Sequence, residues 1–261
     1  MRAHRVKAIV LRYLFLFRRS YDRLTDAFYW PTIDLLVWGL MSAYFQARNP
    51  GDTNFMVIIV TGILFWLIVW RGQYEITVNI LEDLWNKNLV NIFVSPLSFW
   101  EWVTSFIIIG VIKAALSVSF ASLIAFLLYK ISIFIYGFYL IPYIISLILT
   151  GWWIGFLVGG LILRFGTKIQ TLAWAFVAVI SPFSAIYYPV SVLPQWAQFV
   201  AWFIPTTYIF EGARAIVNNG QFDIFPLLLS LLLNIVYLGL SLAFLRTSFN
   251  QVLKKGLVKV Y

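Results

Sequence analysis

The side chains able to do covalent or redox chemistry are scarce in this sequence and do not cluster. Cysteine is absent and the only histidine is His4, so thiolate metal sites, iron–sulfur clusters, disulfides and cysteine nucleophiles are excluded. A histidine-based catalytic or metal centre has no second member. The 10 acidic residues are dispersed, which argues against a membrane enzyme, since that would need a group of acid–base residues at one face. No G-x-x-x-x-G-K-[ST] phosphate loop occurs, so no nucleotide can be held and split in the usual P-loop manner. No metal or other cofactor is expected on the chain. What remains is charge inside apolar surroundings. Asp34 falls about 10 Å, and Lys113 about 17 Å, into apolar stretches at 1.5 Å per residue. Each alone in hydrocarbon would cost about 2.5–3.5 kcal/mol. These two intramembrane polar residues either form a structural pair, with the lysine snorkelling as a variant, or line a polar path or form a conformational latch. Arg71 and Glu75, four apart, can pair on one helix face.

The elements that must position these groups follow from composition. Of 261 residues, 62% are hydrophobic and 11% charged, with mean hydropathy +0.89. Soluble domains run at about 45–50% apolar and about 25% charged, so the chain is read as an all-α polytopic membrane protein. Six apolar stretches predict six transmembrane helices, over about 27–45, 55–70, 102–129, 138–163, 169–187 and 224–245. Each is comparable with the ~20 residues that a helix needs to cross, and the second is short unless it continues past a snorkelling Arg71. Residues 1–26 carry too many arginines for a signal-peptide core. Val6, Ile9, Val10, Tyr13 and Phe17 share one arc of about 140° opposite Arg5, Arg12 and Arg19, which predicts an amphipathic interface helix with its arginines on lipid headgroups. The net charge of +9 then reflects topology and anionic lipid rather than nucleic acid. With a cytoplasmic N-terminus, 15 of the 19 lysines and arginines lie inside and 3 outside, so both termini are expected in the cytoplasm.

Two connections look structured. The cytoplasmic segment 76–100 carries Glu82, Asp83, Trp85, Asn86 and Lys87 among apolar residues before Ser95-Pro96, the pattern of a short amphipathic helix ended by proline. On the outside, Pro189, Pro194 and Pro205 divide 189–217 into two aromatic-rich pieces, 195–204 and 206–217, each too short to span. These predict a re-entrant helical hairpin before the last span, with Trp196 in its first half and Glu211 and Arg214 paired in its second. Gly151, Gly155 and Gly159 form a small-xxx-small series suited either to internal packing or to a subunit contact. Trp30, Trp100, Trp102 and Trp196 suit an aromatic belt. Trp152 and Trp153 fall mid-span, as lipid-facing or packed rings or as faces for a sugar.

These ordered features resemble the membrane-spanning subunits of type-2 ABC exporters (the ABC-2-type transporter family), whose members export polysaccharide and glycolipid precursors or lipophilic drugs. The resemblance rests on the basic amphipathic start followed by Phe28-Tyr29-Trp30-Pro31 and on Asn91-Ile92-Phe93-Val94-Ser95-Pro96-Leu97-Ser98. It rests most on Tyr188-Pro189-Val190-Ser191-Val192-Leu193-Pro194, then Trp196, Pro205 and Glu211-Gly212-Ala213-Arg214. It implies a permease domain over 27–261 behind the interface helix 1–26, working in the cell membrane as a pair of copies. ATP and Mg would then sit on a separate cytoplasmic ABC ATPase subunit, with Glu82, Asp83, Trp85, Asn86 and Lys87 as the coupling helix that meets it. The exported molecule would be an amphiphile, a lipid-linked glycan or a lipophilic compound. An ion-gradient-driven secondary transporter is the alternative; it would be expected to show broken spans in two related halves and several intramembrane carboxylates.

Overall fold

Long uninterrupted runs of apolar residues, punctuated by serine, proline and glycine at the ends, leave the chain little option but helix. A computed structural model describes residues 1–49, 51 and 54–255, and among them ten α-helices and no strand occur. In chain order they are α1 (Ala3–Arg19), α2 (Tyr21–Arg48), α3 (Phe55–Trp85), α4 (Leu89–Val94), α5 (Phe99–Tyr129), α6 (Leu140–Phe165), α7 (Leu172–Ile180), α8 (Gln195–Ala201), α9 (Pro205–Asn219) and α10 (Ile224–Lys255). Local chemistry sets the boundaries. Ser98 and Glu101 form a reciprocal capping box that starts α5, Pro205 opens α9, and Gly220, in the left-handed region at φ 66°, closes it.

Among the described residues, four helical stretches are long and apolar enough to cross a membrane: Phe55–Trp85, Phe99–Tyr129, Ile133–Ile169 and Ile224–Lys254. The first expected span corresponds to α2, which is 28 residues long but carries Asp22, Arg23, Asp26 and Asp34. The fifth corresponds to α7, only 9 residues, followed by a 3-10 turn at Ser181–Phe183. The expected second span is the clearest correction. It does not stop near Trp70: α3 runs 31 residues, to Trp85, and 22 of them are buried. The polar residues that seemed to end it face partners on other helices instead of water. Residues 76–100 are therefore no single amphipathic loop helix; they are the last turns of α3, a tight turn through Lys87 (φ 53°), the six-residue α4 and the start of α5.

α3 is the central post, packed along α6, α5 and α2, while α6 in turn lies along α10. The glycine series explains the closeness of α3 and α6. A Cβ on Gly151 would stand 2.7 Å from the Val69 carbonyl oxygen, one on Gly155 2.9 Å from Ile76 Cδ1, and one on Gly159 2.7 Å from Ile80 Cδ1. The small residues thus serve packing inside the chain, the first of the two uses their spacing allows. Trp152 and Trp153 belong to the same packing: Trp153 donates Nε1–H to Asn234 Oδ1 at 3.1 Å and stacks edge-on against Tyr237. Trp102 is 1% exposed, packed on Phe106 and Phe249, so it is a core residue and no part of an aromatic belt. Trp30, Trp100 and Trp196 are exposed.

Candidate functional site

α2 carries a four-residue rhythm, Asp26, Trp30, Asp34, Trp38, which repeats slightly more slowly than the helical turn and keeps all four on one face. That face meets Trp66, Trp70, Arg71 and Tyr74 on α3, and Trp174 on α7 closes the side. Between them lies a cleft of about 510 Å³, reaching Ser181 and Tyr187, a size ordinary for sites that hold small organic molecules. Trp38 stacks on Tyr187 with ring centroids 4.5 Å apart, and Trp70 on Tyr74 at 6.4 Å. Of the residues lining the cleft, Trp30 is 56% exposed and Asp34 is also exposed.

Charge in the cleft is unevenly settled. Arg71 is buried; its Nη1 lies 2.6 Å from Asp26 Oδ2 and its Nη2 donates to the Asp26 backbone oxygen. This replaces the expected Arg71–Glu75 pair. Glu75 instead receives Lys113 of α5, Nζ to Oε2 2.5 Å, with the ammonium also 4.8 Å from the Phe17 ring centroid. Lys113 is therefore a structural partner of α3 and does not meet Asp34. Asp34 makes no ion pair among the described residues.

The proposed coupling residues divide into two groups. Glu82 is bound by Arg23. Asp83, 1% exposed, accepts from the Tyr13 hydroxyl at 2.5 Å, from Asn88 Nδ2 at 3.1 Å and from Arg12. Burial raises the Tyr13 phenol well above its ordinary pKa, with the Asp83 charge adding to the effect, so the hydroxyl keeps its proton and remains a donor. These two carboxylates hold α1 and α2 to the end of α3. Trp85, Asn86 and Lys87 are exposed at that same end, with Trp85 Nε1 donating to Gln170 Oε1 at 3.1 Å. Arg5 of α1, like Arg12, turns to protein: it reaches the Pro96 oxygen and stands 3.6 Å from Glu101. α1 buries Val6, Val10, Tyr13 and Phe17 as its periodicity predicts, but Arg5 and Arg12 turn toward protein where headgroups were expected.

At the opposite end the segment 189–217 forms two short helices, α8 and α9, close to the expected bounds. Pro194 directly precedes α8 and Pro189 precedes a 3-10 turn. Glu211 accepts from the Val190 backbone N–H at 2.7 Å and pairs with Arg214 at 3.1 Å, while Arg214 donates to the Ala185 oxygen. These two residues staple the proline-rich stretch onto α9. Trp196 is 65% exposed and meets Phe183 edge-on. The turn between α8 and α9 sits beside the middle of α10, where Tyr237 donates to the Phe203 oxygen. The far end of α9 returns to the start of α3, with Asn54 Nδ2 3.1 Å from the Val217 oxygen.

Over residues 6–218, from α1 through nearly all of α9, the sequence matches the ABC-2 type transporter family. The chain belongs to that family. No curated protein matches the chain. As an ABC-2 permease it is a multi-pass transmembrane transporter subunit and not a catalytic domain. Such permeases normally work with an ATPase partner. Among the residues named from sequence, Trp30, Asp34 and Arg71 line the cleft; Lys113 and the Glu82/Asp83 pair do not. Of the tryptophans that line it, Trp30 and Trp38 were legible in the Asp-Trp-Asp-Trp spacing, a signal masked by the expectation that Trp30 sits at a belt, whereas Trp66, Trp70 and Trp174 come from α3 and α7.

Proposed function

We propose that this ABC-2 permease is the membrane subunit of an ATP-driven exporter of amphiphilic molecules, lipid-linked glycans or lipophilic compounds. It works as a homodimer in the cell membrane. α2, α3, α5, α6, the α7 region and α10 supply six crossings, with both termini on the cytoplasmic side and membrane lipid around the bundle. The observation that carries this reading is the aromatic cleft between α2, α3 and α7, which combines apolar walls with a few fixed polar groups, as a site for an amphiphile requires. Further support comes from the missing phosphate loop, which leaves energy to a separate cytoplasmic ATPase holding ATP and Mg. Trp85, Asn86 and Lys87, exposed beside α1, offer that ATPase an aromatic anchor with a polar edge. The α8–α9 turn lies 13 residues along α10, about 20 Å from its start, which favours a re-entrant hairpin over one lying on the surface.

The test is reconstitution with and without a cytoplasmic ABC ATPase that co-purifies with the permease. The expected result is no ATP hydrolysis by the permease alone, and ATP-dependent movement of a fluorescent amphiphile with both subunits. Turnover by the permease alone, or transport that follows an ion gradient without ATP, would overturn the reading.

A further inference from the structure

The charge inventory of the cleft says more than its size. Asp26 and Arg71 neutralise each other, and Lys113 is consumed by Glu75, neither of which lines the cleft. That leaves the Asp34 carboxylate as the one charge in the cleft without a partner of opposite sign among the described residues. Five tryptophans and two tyrosines, set among aliphatic side chains, line the same cleft, and aromatic ring faces carry negative potential that attracts cations. A lone carboxylate among such rings repels anions and is costly unless something positive joins it. A metal ion is a poor match: the cleft is far larger than an ion, and no group of three or more His, Cys, Asp or Glu that could hold one occurs among the described residues. The space suits instead an organic cation carrying apolar substituents.

We propose that the cleft is a binding site for the cationic group, a protonated amine or quaternary ammonium, of an amphiphilic cargo. Asp34 supplies the counter-charge, and Trp30, Trp38, Trp66 and Trp70 supply the aromatic wall. The proposal rests on the reading of the chain as an exporter subunit and narrows its cargo to molecules bearing positive charge at one end.

Two ions of nearly identical size and opposite sign test it: tetraphenylphosphonium and tetraphenylborate. Binding of each to the full chain in phosphatidylcholine nanodiscs is measured against empty nanodiscs. Saturable tetraphenylphosphonium binding is expected, with tetraphenylborate at least about tenfold weaker. Asp34→Asn should weaken phosphonium binding by about tenfold or more, the scale of one charge contact in a partly desolvated site. Asp34→Glu and the exposed control Asp223→Asn should leave it within about twofold, as expected when the charge is kept or lies outside the cleft. Equal affinity for the two ions, no saturable phosphonium binding, or an Asp34→Asn protein that binds as the wild type would each overturn the site. The comparison of the two ions needs no variant, so it decides the matter even if Asp34→Asn misfolds. Loss of ATPase association would instead count against the exporter reading, and a charge-blind cleft in a permease that still drives its ATPase would count against this site alone.

Discussion

The Lys113 ammonium of α5 and the Glu75 carboxylate of α3 stand 2.5 Å apart, both almost wholly buried, with side-chain exposures of 3% and 6%. Thirty-eight positions separate them in sequence, and neither charge would be tolerable there alone. The pair is the pin between the central helix and its neighbour, and the N-terminal helix covers it through Phe17.

Removing one partner strands the other. Lys113→Met is expected to destabilise the permease by about 3–5 kcal/mol, whereas Lys113→Met combined with Glu75→Leu should recover most of that loss. Thermal melts of the detergent-purified single and double variants check this. A double variant as unstable as the single would show that the pair is not the source of the cost.

Gly151 is expected to be intolerant of any side chain. A Cβ there meets backbone atoms, the Val69 oxygen at 2.7 Å and Gly72 Cα at 3.0 Å, and neither can rotate away. Gly151→Leu should therefore push α3 from α6 and lower yield and melting temperature sharply, at a cost of about 3 kcal/mol or more. Gly239→Ala, with nothing within 4 Å of its Cβ, should be neutral or gain up to about 1 kcal/mol from helix propensity.

The end of α3 should separate coupling from folding. Trp85→Ala is expected to leave the permease folded but weaken co-purification with its ATPase, by roughly 2 kcal/mol if the ring is a central anchor. Asp83→Ala should do the reverse in the isolated chain, lowering its melting temperature because Arg12 and Tyr13 lose their acceptor. A Trp85→Ala protein that co-purifies and transports as the wild type would remove this tryptophan from the coupling surface.

Single cysteines placed from 195 to 217 report the depth of the hairpin on a background that has no native cysteine. An impermeant thiol reagent added outside is expected to label Asn218 and Asn219 positions fully and to spare those near the α8–α9 turn, beside Tyr237. Uniform labelling from 195 to 217 would mean a hairpin lying on the surface.

Hydropathy and periodicity alone determined that this chain is helical and membrane-embedded, which face of α1 is buried, and that two short helices precede α10. These properties depend on residues close in sequence, so 3.6-residue spacing, prolines and capping serines suffice to declare them. The family, too, was legible from motif order. Partner choice was not. Arg71 and Glu75 are well spaced to pair with each other, yet Asp26 and Lys113 approach from other helices and take them. Glu82 and Asp83 read as an exposed polar rim because nothing local reveals that Arg23 and Arg12 face them. Desolvation drives these choices: a charge carried into an apolar bundle binds whichever opposite charge the packing presents, and packing is settled by contacts 38 to 71 residues apart. The same rule decided the cleft. Its acid–tryptophan ladder lies openly in the sequence from Asp26 to Trp38, but only the tertiary structure sets it against α3 and α7, satisfies Asp26, and leaves Asp34 the carboxylate without a partner.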